Sequence, residues 1–587
     1  MSNTWHNRLI LSRLRAIFLV LSPILAIFFY APQGFAQSRN PVPSQSPELP
    51  APTPLTPQEQ PIETPSTEET TPSEGVPDIP GEFTFESFEF VGGTVFKEEE
   101  LQAATAEFIG QPISFAQLLQ AVNRITELYL QQGYITSGAY IPEQQLESDS
   151  LKIQIVESSL ADININITQG RLKEKYIRDR ISRATSTPLN INKLQEALQL
   201  LQLNPLIDNI NAELASGNKR GTNILDITVN GAKTFGFQAI LNNNRNPSVG
   251  SVQRGVEISE DNLFGIGDGI SLTYLNTDGS DEFEVGYTLP INSRDGSLGF
   301  NFRNIDSEIV EDPFDDLDIE INSRDFDFTY RQPILQKATE NSTQELALSL
   351  TASRRESDGQ LLGRDFPISI GADREGETRL SVLRFAQEWQ QRSRQTFLAA
   401  RSQFSLGIDA FDATVNDNGE ADSQFFAWRG QILWLRLLKT PKNNSQVGTS
   451  LVVKSDFQLA TDSLVSLENF GLGGQASVRG YRQDVLLSDS GILASAELRV
   501  PILQVSQVQG SLQITPFIDL GTVWNIERPD PETNTLVGTG VGLLWQQSDN
   551  LTARLDWGIP LVDIDSGDNT WQENGVYFQL NYNLKLF

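Results

Sequence analysis

The sequence predicts a multidomain chain: two small α+β units followed by a transmembrane antiparallel β-barrel of about 16 strands. Three observations predict it. After the N-terminus no stretch approaches 18 consecutive apolar residues, which leaves a chain either soluble outside the cytoplasm or crossing lipid as strands closed on themselves. Residues 231–587 alternate apolar and polar in short segments separated by Gly, Asn, Asp and Ser. Residues 81–230 run twice through the order strand, helix, helix, strand, strand.

Composition narrows the chemistry. The 587 residues hold 44 Lys plus Arg, 75 Asp plus Glu, one His, one Met and no Cys, for a net charge of −31. An acidic chain of this kind offers no basic face to nucleic acid. The His is His6 and the Met is Met1, both within a segment expected to be removed. The remaining chain then has no imidazole or thiol for Ser-His-Asp or Cys-His catalysis, or for zinc, haem or iron–sulfur ligation. No cofactor, metal site or enzymatic activity is expected; carboxylate pairs, Ser-Lys arrangements and oxygen-ligated ions are what composition leaves open. Asp312, Asp315, Asp316 and Asp318 lack EF-hand spacing and read as a solvated loop. No G-x-x-x-x-G-K-[ST] nucleotide loop occurs.

The elements follow in order. In residues 1–36, Arg8, Arg13 and Arg15 precede an apolar run from Ala16 to Tyr30 and a Gly34-Phe35-Ala36 end, the pattern of a secretory signal peptide. Residues 37–80 contain 12 Pro among Ser, Thr, Gln and Glu, too little apolar surface to offset ordering entropy, and read as a disordered linker. The first α+β unit spans 81–158. Phe83–Val91 reads as a strand and Glu98–Phe108 as a short helix. Ser114 and Gln117 form a capping box before a stripe of Phe115, Leu118, Leu119, Val122, Ile125, Leu128 and Tyr129 that Gly133 ends. Tyr134–Ile141 and Leu151–Glu157 read as closing strands. The second unit spans 159–230: Ile163, Ile165 and Ile167 on a strand, a helix from Leu172 to Arg183, and a second helix capped by Asn190 and stapled by Leu189 and Leu194. Leu206–Leu214 and Ile224–Val229 close it.

In the barrel, 231–587, the last segment is the clearest. Val576, Phe578, Leu580, Tyr582, Leu584 and Leu586 face one way, and Tyr577, Gln579, Asn581, Asn583 and Lys585 the other. At about 22 residues per strand and connection the region holds roughly 16 strands. Seven Trp lie between Trp389 and Trp571, as an interfacial aromatic belt allows. Within it, Val478-Arg479-Gly480-Tyr481 sits in a long Gly-rich loop, about 461–490, and Phe517-Ile-Asp519-Leu-Gly521 sits in a strand. Leu512, Ile514, Ile518 and Leu520 share the parity suited to lipid, which turns Phe517, Asp519 and Gly521 into the lumen. Glu497 faces the lumen by the same reading of Ile492–Val500. A guanidinium can bind a carboxylate through two parallel hydrogen bonds, and Gly480 and Gly521 would permit close approach. By parity alone a solvated outer loop fits equally well. Asn262–Asp268 reads as a turn whose glycines serve geometry.

Gly133-Tyr-Ile-Thr-Ser-Gly-Ala-Tyr-Ile-Pro142 with Leu151-Lys-Ile-Gln-Ile-Val-Glu157 resembles the first POTRA domain of two-partner-secretion transporters, the TpsB family. The Val478–Tyr481 and Phe517–Gly521 motifs resemble the paired loop and wall motifs of the wider superfamily that includes outer-membrane assembly factors. The resemblance spans roughly residues 81–587. It implies an outer-membrane transporter in a diderm bacterium with POTRA domains in the periplasm. It implies that a large secreted partner protein docks on those domains and passes through the barrel. It also implies that the loop folds into the pore as a plug or latch, with Arg479 as hook, Asp519 as wall anchor and Glu497 as second partner. The latch set is then Arg479, Asp519, Glu497, Val478, Gly480, Tyr481, Phe517 and Gly521. Membrane lipid and, through a terminal Phe587, the outer-membrane insertion machinery complete the implied partners. Some relatives carry an N-terminal helical plug; here the segment before Gly81 is Pro-rich. An assembly factor that inserts other barrels is the alternative, against which two POTRA-like units count. A passive porin leaves 81–230 unexplained.

Overall fold

The structure is a computed structural model that describes residues 62–63, 81–146, 149–416, 420–439, 447–564 and 570–587. The signal segment and all of the Pro-rich segment but Ile62–Glu63 lie outside the described residues. The N-terminal third forms two α+β units, and the remainder closes into an antiparallel barrel of 16 spanning strands.

In the first unit Ser87–Val91 runs parallel to Ser150–Val156, which pairs antiparallel with Gly138–Tyr140. Helices α1 (Glu98–Thr105) and α2 (Phe115–Gln131) share a core with the sheet: Phe85, Phe88, Leu118, Ile125, Tyr129, Leu151 and Ile153 are buried together. The α2 cap forms as the sequence suggests, Ser114 Oγ accepting from Gln117 N and Gln117 Oε1 accepting from Ser114 N. Two expected strands are corrected. Phe83–Val91 breaks into Glu82–Phe83 and Ser87–Val91, because Glu86 N donates to Asp149 O and turns Phe85 into the core. Tyr134–Ile141 shrinks to Gly138–Tyr140, because Tyr134 N and Ser137 N bond back to Tyr129 O and Tyr134 O in a turn that follows α2.

Glu157 ties this unit together. Its carboxylate accepts from Thr94 N and Oγ1 at 2.6 Å each, Val95 N at 2.9 Å and Tyr129 Oη at 2.7 Å. Burial opposes ionisation, but the Thr94, Tyr129 and Val95 donors outweigh it and hold the carboxyl below its ordinary range. Such a group adds stability that is complete above the unfolded-state value of about 4.3 and is lost as pH falls through the folded value. Glu157→Gln is therefore expected to flatten the loss of stability between about pH 5 and pH 3, measured as unfolding temperature across a pH series. An unchanged slope would remove Glu157 from this role.

In the second unit Ser159–Gln169 runs parallel to Thr222–Gly231, which pairs antiparallel with Ile207–Ser216. Ile62–Glu63, from the segment read as disordered, instead adds a short parallel strand at the outer edge of Ile207–Ser216, with Ile62 opposite Ala212. Helix α3 is Glu174–Ile181, shorter than the expected Leu172–Arg183, and α4 is Ile191–Gln202. Asn190 Oδ1 caps α4 by accepting from Asn192 N and Lys193 N, and Leu189 and Leu194 are both buried beside it.

The barrel begins at Phe235 and closes where Phe235–Asn242 pairs with Val576–Leu586, Phe235 opposite Leu586. The rim that receives the second unit is the near end. Apolar side chains such as Val256, Leu272, Phe283, Phe328, Leu350, Ile518 and Leu555 are exposed on the outer wall. Ser353, Gln403, Arg429, Asp456, Gln513 and Asp519 are buried within. This inside-out distribution is what lipid selects.

The turn Asn262–Asp268 does more than geometry. Asn262 Oδ1 accepts from Gly267 N and Asp268 Oδ1 from Phe264 N, each at 2.9 Å, which fixes the turn. Lys173 N then donates to Gly265 O at 2.8 Å. Gly267 has φ +81°, and a Cβ there would come within 2.7 Å of the Tyr176 ring. The glycines leave room for the second unit to seat on the barrel rim.

Candidate functional site

The loop between strands Thr449–Ala460 and Ser490–Val505 turns back inside the barrel. It forms a hairpin, Phe470–Leu472 paired with Leu486–Ser488, whose tip carries Val478–Tyr481. The tip lies on four consecutive wall strands: Ser490–Val505, Gly510–Trp524, Thr535–Gln547 and Leu551–Pro560. Their register sets Ser495 opposite Asp519, Asp519 opposite Gly538, Phe517 opposite Gly540, Gly540 opposite Gly558, and Gly542 opposite Asp556.

Arg479 is the centre. Its Nε lies 2.7 Å from Asp519 Oδ2 and its Nη2 2.8 Å from Oδ1, a two-pronged fit of fork to carboxylate. Nη1 reaches Glu497 Oε2 at 2.7 Å, and the Arg479 backbone N donates to Asp519 Oδ2 at 3.1 Å. Ser495 Oγ donates to Asp519 Oδ1 at 2.6 Å. The guanidinium lies over the Phe517 ring, 3.4 Å from its centroid, a desolvated cation–π contact. Asp519 is 0% and Arg479 4% exposed. Arg554 bridges Glu497 to Asp556, and Arg499 pairs with Glu497. Three guanidiniums therefore face three carboxylates, and the buried charges cancel.

The other sequence-named residues converge here. Val478 and Tyr481 are buried in an apolar cluster with Phe470, Leu472, Leu486, Val523 and Leu536. A Cβ on Gly521 would stand 2.7 Å from Leu472 Cδ1 and 3.1 Å from Val478 Cγ2. Gly480 has φ +108°, and its Cβ would meet Pro560 N at 2.9 Å. All eight residues thus occupy one patch of loop and wall.

Local reading missed several participants. Gly538 and Gly558 floor the groove in which the Arg479–Gly480 backbone lies; a Cβ on either would collide with that backbone. Tyr577 Oη accepts from Gly480 N at 2.9 Å and donates to Tyr481 O at 2.6 Å. The only sequence signals were the alternating Gly538, Gly540 and Gly542, and the lumen parity of Tyr577.

The loop has a second anchor on another part of the wall. Glu468, at its root, pairs with Arg355 at 2.9 Å and Arg384 at 2.5 Å. These lie on Ser342–Leu361 and Glu377–Ser393, the seventh and eighth spanning strands, while the Arg479 patch spans the twelfth to fifteenth. Leu464, Val465 and Leu467 pack with Ile321, Leu380, Val382, Ala421 and Phe425. A third tie joins Arg482 to Glu311 at 2.9 Å and Glu573 at 3.3 Å. Among the described residues no group of three or more His, Cys, Asp and Glu is placed to hold a metal.

A 16-strand barrel that draws a loop inward, carrying POTRA-type units on its N-terminal side, defines a two-partner-secretion type of outer-membrane transporter. The chain belongs to the haemolysin secretion/activation protein family ShlB/FhaC/HecB, which it matches over residues 221–544, and residues 83–158 match the ShlB-type POTRA domain. The outer membrane transporter CdiB of Dickeya dadantii is 22% identical over 475 residues, 78% of this chain and 80% of its own length. The heme/hemopexin transporter protein HuxB of Haemophilus influenzae is 24% identical over 229 residues, 36% of this chain and 40% of its own. The solved structure of CdiB from Escherichia coli superposes with a TM-score of 0.62 at 18% identity, covering 88% of this chain and 93% of that one. CdiB from Acinetobacter baumannii gives 0.60 at 17% identity, covering 91% and 95%.

Proposed function

We propose that the chain moves one exported partner protein across the outer membrane, capturing it on the α+β units in the periplasm and passing it through the barrel when the in-folded loop shifts. The observation that carries this reading is the loop itself, tied to two separated parts of the lumen wall through Arg479 and Glu468. A hairpin in that position has to move before a polypeptide can pass. Its ties combine apolar packing with ion pairs and hydrogen bonds, and the polar ones are contacts that polar cargo or water can replace. With no nucleotide loop in the sequence, partner binding and folding outside supply the drive. Capture is supported by a sheet edge of the second unit that takes an added strand. The edge of Ile207–Ser216 already accepts Ile62–Glu63 as an added strand, the pairing mode by which extended segments bind with modest sequence demand.

Photocrosslinking tests capture. A photoreactive residue at Asn211, exposed on that edge, is expected to trap a single long exported protein in transit. Trapping many barrel precursors instead would point to an assembly factor and defeat the proposal.

A further inference from the structure

A cleft of about 950 Å³ lies between the second α+β unit and the near-end turns of the barrel. Its upper wall is one helix face: Lys193, Glu196, Ala197 and Leu200 of α4 recur at helical spacing. Arg180 and Arg183 approach from α3 and its end, and Arg294 from the turn between Ser280–Pro290 and Ser297–Glu308. Four cations, Arg180, Arg183, Lys193 and Arg294, thus meet two acids, Glu196 and Asp295. The acids are engaged already. Asp295 binds Arg180 at 2.6 Å, and Glu196 accepts from Ala338 N at 3.4 Å. Arg183 spends one donor on Ser293 O at 2.9 Å and keeps the rest exposed. Partial burial, then Arg294 and Arg180, lower its hold on its proton in spite of Asp295. A surplus of positive charge at this rim stands out in a chain of net charge −31.

The cleft also has an apolar lip at membrane depth. The strand Ile319–Thr339 exposes Phe326, Phe328 and Tyr330 to lipid, then shifts register between Pro333 and Leu335. Ile334 is the bulged residue, 57% exposed and lining the cleft; a bulge aims its side chain away from the ladder. It lies four residues nearer the rim than Tyr330, roughly 10 Å along the axis for a tilted strand. Toward its rims the apolar band of such a barrel gives way to head groups.

We propose that this cleft binds an anionic glycerophospholipid of the near-side leaflet, its phosphate held by Arg183 and Arg294 and its acyl chain laid against Ile334. Guanidinium forks suit phosphate, and a lipid held between helix and rim would steady the second unit over the pore. The site is independent of what the barrel transports. Native mass spectrometry of the delipidated full-length protein tests it. The probes are dioleoyl phosphatidylglycerol, dioleoyl phosphatidylcholine and inorganic phosphate. One phosphatidylglycerol is expected to survive activation that strips phosphatidylcholine, and inorganic phosphate is expected not to displace it. The Arg183→Glu/Arg294→Glu variant should lose that lipid by roughly tenfold, while Arg220→Glu, where Arg220 stacks on Tyr140 away from the cleft, should keep it. Both substitutions lie on exposed side chains, and heat-modifiable mobility checks the fold. Equal phosphatidylglycerol retention in the double variant, equal retention of phosphatidylcholine, or displacement by inorganic phosphate would each overturn the proposal.

Discussion

Arg479→Ala is expected to abolish secretion of the partner protein while leaving the barrel inserted. The substitution removes the two-pronged contact to Asp519, the bond to Glu497 and the stack on Phe517. The carboxylates do not suffer equally. Glu497 keeps Arg554 and Arg499, whereas Asp519 keeps only neutral donors, the Ser495 hydroxyl and the backbone N of residue 479, among the contacts described above. Stripping one member from a buried ion pair costs roughly 3–5 kcal/mol, because the remaining charge is stranded. That sum acts on the seating of the loop, since the barrel's ladder hydrogen bonds do not involve it. Arg479→Lys should fail nearly as fully, because an ammonium cannot reproduce the fork or the stack. The double variant Arg479→Ala/Asp519→Ala separates two causes. It removes the stranded charge, so any purely structural defect should ease, whereas a transport defect from a missing latch should persist. Secretion is read as partner protein in the medium, and insertion as heat-modifiable mobility. Wild-type secretion by Arg479→Ala would defeat the latch.

How much of this could be read locally follows from which contacts are local. The barrel was legible because lipid outside and water inside impose a strict period of two, seen in Val576–Leu586 and in Leu512–Leu520. The helices were legible where a cap and a stripe coincided, at Ser114 and at Asn190. Asp519 and Glu497 could be assigned to the lumen by parity, and Arg479 could be offered as their partner on chemical grounds. Glu468 could not. It meets Arg355 across 113 residues of chain, and nothing near either residue specifies where a long loop crosses the bore. Arg554 and Asp556 were hidden likewise, since Arg554 meets Glu497 from three strands away and Asp556 meets Gln475 of the in-folded loop, contacts that nothing near either residue specifies. The glycines misled in one direction. Gly265 and Gly267 looked like turn residues, and Gly538 and Gly558 like absences, yet each marks a place where another backbone or ring comes too close for a Cβ. The strands Phe83–Val91 and Tyr134–Ile141 were over-extended because apolar content persists through turns that backbone hydrogen bonds impose.

The second large effect is expected from holding the loop still. The chain contains no cysteine, so an introduced pair is the sole thiol chemistry present. Lys454, on the wall strand Thr449–Ala460, donates from Nζ to the carbonyl of Ala476 on the hairpin, so the two positions are close and neither supplies the Arg479 contacts. Lys454→Cys/Ala476→Cys joined by a short, reducible thiol crosslinker ties the hairpin to the wall in its resting place. If the loop must leave for cargo to pass, secretion stops on crosslinking, falling by well over tenfold against either single variant, and returns when the linker is cleaved. Secretion continuing at the uncrosslinked rate with the hairpin demonstrably tied would contradict the account.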